Sequence, residues 1–176
     1  MKRQAIIALI LFSVICGVGG AQSPPADQSR AGESHASGTW SDPATGLMWA
    51  GKDNGKAVNW QSAKKYCRDG RLAGYSDWRL PTSDELEAIY DKSAEAAGIN
   101  PSSRWHGAAA MNYHLKGNLF LTGDEWSSTQ RRDDRGHPTA RVWYFDFLNG
   151  VRKDDDTTRF INIWGGIARS LCVRRP

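Results

Sequence analysis

Gly74-Tyr75-Ser76-Asp77-Trp78-Arg79-Leu80-Pro81-Thr82-Ser83-Asp84-Glu85-Leu86-Glu87-Ala88-Ile89-Tyr90-Asp91 joins an aromatic loop to a well-marked helix start. The Thr82 hydroxyl is spaced to accept from the Glu85 backbone N–H, and the Glu85 carboxylate to accept from the Thr82 N–H, a reciprocal capping box. This predicts a helix from about Ser83, with Leu86, Ile89 and Tyr90 on one face. Pro81 has no N–H to give to a ladder and biases Leu80 toward extended geometry, so Trp78, Arg79 and Leu80 form a strand-like entry. In this reading Trp78 and Leu80 are core and Arg79 is an ion-pair partner.

Upstream, a first helix is expected from Asn59 to Arg68, because Trp60, Ala63, Lys64 and Cys67 follow helical spacing. Before it, Asp42-Pro43-Ala44-Thr45-Gly46 separates Trp40 from Leu47-Met48-Trp49 as a hairpin connector. Downstream, residues 92 to 122 carry no sustained period and several glycines, which reads as a long irregular section, functional or poorly ordered. Strands are expected at Glu125–Thr129, Arg141–Phe147 and Val151–Asp154, the last two joined by Asn149-Gly150. A final strand runs from Ile167 to Arg174.

The first 21 residues have a basic start at Lys2 and Arg3, an apolar run from Ala5 to Ile15 and small residues up to Ala21. This is the pattern of a secretory signal peptide cleaved after Ala21. The alternative is a lipoprotein anchored through Cys16, although Ile15 is bulky where such signals carry a small residue. Residues 22–38, with Pro24, Pro25 and few apolar side chains, read as a flexible tether, and 39–176 as one domain. No other segment is apolar enough to span a membrane. The expected destination is the periplasm or the exterior. Of the formal charge of +4, Lys2 and Arg3 leave with the signal, so the mature chain is near +2. That balance does not call for nucleic acid.

Export also leaves Cys67 and Cys172 as the mature cysteines. In an oxidising compartment they read as one disulfide, with two buried free thiols as the alternative. All eight tryptophans lie in the mature part. Most sit beside apolar residues in expected helices or strands and read as core, whereas Trp105 and Trp164, in irregular stretches, are the candidates for a ligand-stacking surface.

The ordered series Thr45-Gly46-Leu47-Met48-Trp49, Trp60-Gln61-Ser62-Ala63, Tyr66-Cys67, Gly74 to Thr82, Glu85-Leu86, Trp126-Ser127-Ser128-Thr129, Trp143 to Phe147, Asn149-Gly150 and Cys172-Val173-Arg174 resembles a bacterial domain family. Its type member is the C-terminal domain of the Legionella collagen-like adhesin, and the resemblance spans about Trp40 to Arg174. It implies an α+β, C-type-lectin-like fold, with two helices flanking small twisted antiparallel sheets and long irregular loops. Because the adhesin that names the family binds sulfated glycosaminoglycans, it also implies adhesion or glycan recognition. This chain lacks that protein's collagen-like repeats, so nothing in it calls for trimers.

Candidate ligand-binding residues are Arg131, Arg132, Arg135, His137, Arg141, Arg152 and Lys153, with Trp105 and Trp164. Arginine suits bidentate contact with sulfate or carboxylate. Asp133, Asp134 and Asp154 to Asp156 interrupt or flank the cluster, which leaves a self-compensated solvated face as the alternative. Arg169, Arg174 and Arg175 form a second basic group. The partner expected is a sulfated or acidic glycan, or an envelope or host surface protein; the alternative role is a structural or protein-interaction module of the envelope.

No metal or other cofactor is expected. Asp146 with Asp154-Asp155-Asp156 offers oxygen ligands, but consecutive strand residues face opposite ways and the triplets of calcium-dependent sugar-binding lectins are missing. His35, His106, His114 and His137 lack zinc-ligand spacing. Arg79-Leu80-Pro81-Thr82 with Glu85-Leu86-Glu87 also resembles the formylglycine-generating, sulfatase-modifying oxidases, which implies a copper-dependent enzyme as a third reading. Those oxidases need two cysteines close together in the active site. No catalytic residues are assigned, and the chain is read as a non-enzyme.

Overall fold

The computed structural model describes residues 38–100, 109–157 and 168–176. The expected signal peptide, the tether up to Ser37, Trp105, His106 and Trp164 lie outside the described residues.

The capping box forms as the sequence dictates. Thr82 Oγ1 accepts from Glu85 N at 3.1 Å and Glu85 Oε2 accepts from Thr82 N at 2.8 Å. The helix it starts, α2, spans Ser83–Ala88, shorter than a helix that would include Ile89 and Tyr90; Ile89 is its C-cap. Leu86 and Ile89 are nevertheless fully buried. Arg79 grips both Glu85 oxygens at 2.7 Å, so one carboxylate serves the cap and the preceding extended segment together. Burial pushes the Glu85 carboxyl up, but Arg79 and the Thr82 N–H outweigh it and hold the group below its usual range. The extended entry is real but brief: Arg79 and Val173 exchange backbone hydrogen bonds, each 2.9 Å, as an isolated bridge.

The N-terminal hairpin comprises β1 (Thr39–Ser41) and β2 (Met48–Ala50). Its connector is closed by Asp42, whose carboxylate accepts from Ala44 N and Thr45 Oγ1. Helix α1 covers Trp60–Asp69; Asn59 caps it by accepting from Ser62 N at 2.8 Å, and Trp60, Ala63 and Cys67 are its buried face. Next come β3 (Ala96–Asn100) and β4 (Ala109–Tyr113), then β5 (Asp124–Arg132), β6 (Pro138–Asp146) and β7 (Val151–Asp156), and finally β8 (Ala168–Arg169) and β9 (Val173–Arg174). Among the described residues these form three small sheets, ordered β1-β2-β9, β3-β4 and β7-β6-β5-β8. The α+β class expected from the resemblance therefore holds, with one parallel pair, β5 and β8, in the largest sheet.

Two further expectations need correction. Residues 92–122 are not irregular throughout, because β3 and β4 pair antiparallel inside them. Their alternation is hidden by residue size: Ala96 and Gly98 face inward while Ile99 is 37 % exposed. Only glycine fits at position 98, since a Cβ there would lie 2.3 Å from the Leu121 carbonyl and 2.4 Å from the Tyr113 ring. The single last strand is also broken. Ala168–Arg169 runs parallel to β5, and after Ser170–Cys172 the chain changes sheets to pair as β9 with β2.

Among the described residues, two apolar clusters fill the interior. One gathers Trp49, Leu86, Ile89, Tyr113, Leu121, Phe145, Phe147 and Val173. The other gathers Trp60, Ala63, Trp78, Leu80, Trp126 and Val142 around Cys67 and Cys172, which are joined in the expected disulfide. Two of the buried indoles find partners across elements: Trp60 Nε1 donates to Ser127 O and Trp126 Nε1 to Val58 O, both at 2.7 Å, whereas Trp49 Nε1 is buried without a hydrogen-bond partner among the described residues. The core reading of the tryptophans thus holds for Trp49, Trp60, Trp78 and Trp126.

Candidate functional site

β5 and β6 extend beyond the core as a hairpin whose far end, from Gln130 to Pro138, is exposed. Its turn is organised by Asp133. That carboxylate accepts from the N–H groups of Arg135 (3.0 Å) and His137 (2.8 Å), and its other oxygen lies 3.5 Å from His137 Nδ1. Gly136, at φ +82°, supplies the left-handed step. Arg132 folds back over the turn and donates to Gly136 O at 2.6 Å. Neither Arg132 nor Arg135 forms an ion pair among the described residues.

Just below the tip, Arg131 and Arg141 converge on Asp154 of β7. Arg131 Nη1 lies 3.1 Å from Asp154 Oδ2, Arg141 Nε reaches the same oxygen, and Arg141 Nη2 donates to Asp154 O at 2.8 Å. These contacts, the Arg141 hydrogen bond first, hold the Asp154 carboxyl below its usual range. The structure therefore brings Arg131, Arg132, Arg135, His137 and Arg141 to one hairpin.

It does not add Arg152 and Lys153 to that group. They are neighbours on β7 and point to opposite faces. Arg152 reaches α2, where it meets Asp84 at 2.7 Å, Glu87, and Ser83 Oγ at 3.3 Å. Lys153 lies between Asp146, at 2.6 Å, and Asp124, at 3.7 Å. The second basic group is mostly interior: Arg169 is 4 % exposed beneath Gly123, and Arg174 is held by Asp77 and stacked 3.8 Å from the Tyr75 ring centre. Only Arg175 of the three is exposed.

Two of the aspartates are engaged by neighbouring groups. Asp146 accepts from Leu148 N, Asn149 N, Asn149 Nδ2 and Lys153 Nζ, while Asp154 serves the two arginines. No group of three or more metal-ligating side chains assembles among the described residues.

The Lys153 neighbourhood sets a pH dependence. Burial, and then the charge of Asp146, push Asp124 up to about 6. Burial also tends to raise Asp146, but Lys153 and Asn149 hold it low. Because the folded-state value of Asp124 lies above its unfolded value, the stability it contributes is complete below about pH 4 and is lost as pH rises through about 6. Buried Glu125, raised by burial and by Asp53, acts in the same direction. Asp124→Asn should therefore gain on the wild type between pH 4.5 and 7.5, by roughly 1–3 kcal/mol, in paired thermal unfolding series. Parallel pH profiles would contradict this.

The sequence reading set Asp154 to Asp156 beside the arginines as compensating charge, and the structure singles out Asp154 as the shared anchor of Arg131 and Arg141. The sequence gave no sign of the cavity beside the disulfide, whose walls come from residues scattered between Gly38 and Cys172.

A family model described as the Lcl C-terminal domain matches residues 38–164. The match includes every element from β1 to β7 and the whole basic hairpin, and stops before Cys172 and β9. No curated protein matches the chain.

Proposed function

We propose, from the premise that the chain belongs to the Lcl C-terminal domain family, that this adhesin-associated domain is exported and binds an anionic glycan noncovalently, without catalysis. The observation that carries the site is the exposed hairpin tip, where Arg132 and Arg135 have no carboxylate partner among the described residues. A guanidinium in that state can meet sulfate or carboxylate bidentately without first breaking an ion pair. Arg131 and Arg141 are already committed to Asp154, so they shape the rim of the surface more than its affinity.

The paired double variant Arg132→Ala/Arg135→Ala tests the site. On immobilised heparin it should elute at clearly lower salt than the wild type, while Arg152→Ala, whose partners are on α2, should elute close to the wild type after correction for one lost charge. Binding should also fall steeply with ionic strength, because exposed charge pairs are screened over about 8–10 Å. Equal elution of the tip variant and a charge-matched surface variant would remove the hairpin from the account.

A further inference from the structure

An open cavity of about 570 Å3 lies between the N-terminal hairpin, the end of α1 and the loop that follows it. Ala50, Leu72, Trp78 and Phe120 give it apolar walls, and the disulfide enters through Cys172. Tyr66 stands at its edge and is 48 % exposed, among the most exposed large apolar side chains of the described residues. The volume is that of a pocket for a small organic ligand, and walls of this kind favour an apolar body over a hydroxyl-rich one.

Two cations complete it. Lys52 and Arg71 both border the cavity, and neither forms an ion pair among the described residues. Arg71 is positioned by its own backbone surroundings: Nη1 donates to Asp69 O at 3.1 Å and to Gly70 O at 2.9 Å. An apolar recess with unpaired positive charge at its rim is complementary to an amphiphile carrying one negative head group. Gly38 is part of the wall, and in sequence the preceding residues 22–37 contain no aliphatic side chain larger than alanine apart from Pro24 and Pro25, and no aromatic ring other than His35.

We propose that this cavity binds a small amphiphile with an apolar, ring-containing body and a single anionic head group, its body against Trp78, Phe120 and Tyr66 and its head between Lys52 and Arg71. The site is separate from the basic hairpin and stands whether or not that hairpin binds glycan.

Anilinonaphthalene sulfonate, an aromatic monoanion, is the probe, with uncharged phenylnaphthylamine as its neutral counterpart; both are titrated into the purified protein by fluorescence. Saturable one-site binding of the anionic probe is expected. Leu72→Trp, which fills the recess, should weaken both probes about tenfold or more, and Lys52→Ala/Arg71→Ala should weaken the anionic probe about tenfold while leaving the neutral one unchanged. Native near-UV circular dichroism in each variant excludes a loosened core that binds such dyes unspecifically. If Leu72→Trp loses that signal, Tyr66→Ala, at an exposed position, takes its place. Absence of saturable binding, indifference to the filling substitution, or equal loss of both probes in the cation variant would overturn the proposal.

Discussion

Opening the Cys67–Cys172 bond should lower the stability of the domain by about 4–5 kcal/mol, since the chain-entropy model scales with the length of the closed loop. The two cysteines are 105 residues apart in sequence, so the bond constrains most of the unfolded domain. It also has a local effect: Cys67 lies on the buried face of α1, and Cys172 sits where the chain leaves β8 for β9. Because small domains are stable by roughly 5–15 kcal/mol in total, this loss is a large share of the margin. Urea unfolding of the oxidised wild type, the reduced wild type and Cys67→Ala/Cys172→Ala separates the contributions. Reduction removes the cross-link but keeps both sulfurs, whereas the double variant also leaves small voids among Trp60, Trp78 and Trp126. Both should show a lower midpoint, and both a steeper dependence on urea, because the freed unfolded chain exposes more surface. A loss below about 1 kcal/mol on reduction would mean that the bond is incidental to the fold.

Phe145→Ala should cost about 3–5 kcal/mol, the range for truncating a buried phenylalanine. Its ring is 1 % exposed, 4.7 Å from Phe147 and 5.8 Å from Tyr90 by ring centres. On the backbone it pairs with Glu125 on one side and Arg152 on the other, so it is on an inner strand of the largest sheet, and it belongs to the same apolar cluster as Leu86 of α2. The surrounding strands are tied by their ladders and cannot collapse into the space, which places the cost toward the upper end. Val151→Ala on the adjoining strand is the control: that side chain is 43 % exposed, and its truncation should change stability by about 0.5 kcal/mol or less. Equal effects at the two positions, read from chemical unfolding, would contradict the assignment of Phe145 to the interior.

What the sequence made legible was mostly local. Thr82 and Glu85 are three residues apart and Arg79 six before Glu85, so the cap and its ion pair are written within one short stretch. The Asn149-Gly150 turn is likewise local: Gly150 N donates back to Asp146 O, and Gly150 takes a positive φ of 70°. Trp60 and Cys67 declare their common face by helical spacing alone. The disulfide was legible from cysteine count and the expected compartment rather than from geometry.

The misses share a physical cause, which is that partners distant in sequence decided the outcome. Nothing within residues 168–174 marks the change of sheets; it follows from Leu171 N finding the Glu125 carboxylate at 2.8 Å and Ala50 N finding Cys172 O at 2.9 Å. β3 was obscured because its inward positions are Ala96 and Gly98, too small to register as apolar periodicity. Arg152 and Lys153 lie on the strand that follows the hairpin, which alone does not bring them to its arginines. Strand alternation already separates them, and α2 and Asp146 supply their partners.

The claim that matters most is that this domain recognises anionic glycans through its hairpin tip. A glycan array probed with the chain from Gln22 onward, at low and physiological salt, tests it most directly when sulfated and carboxylated glycans are set beside their neutral counterparts. The account predicts signal confined to the anionic glycans, reduced at the higher salt and lost in Arg132→Ala/Arg135→Ala. Binding to neutral glycans of equal strength, or no anionic binding above that of a charge-matched control protein, would contradict it.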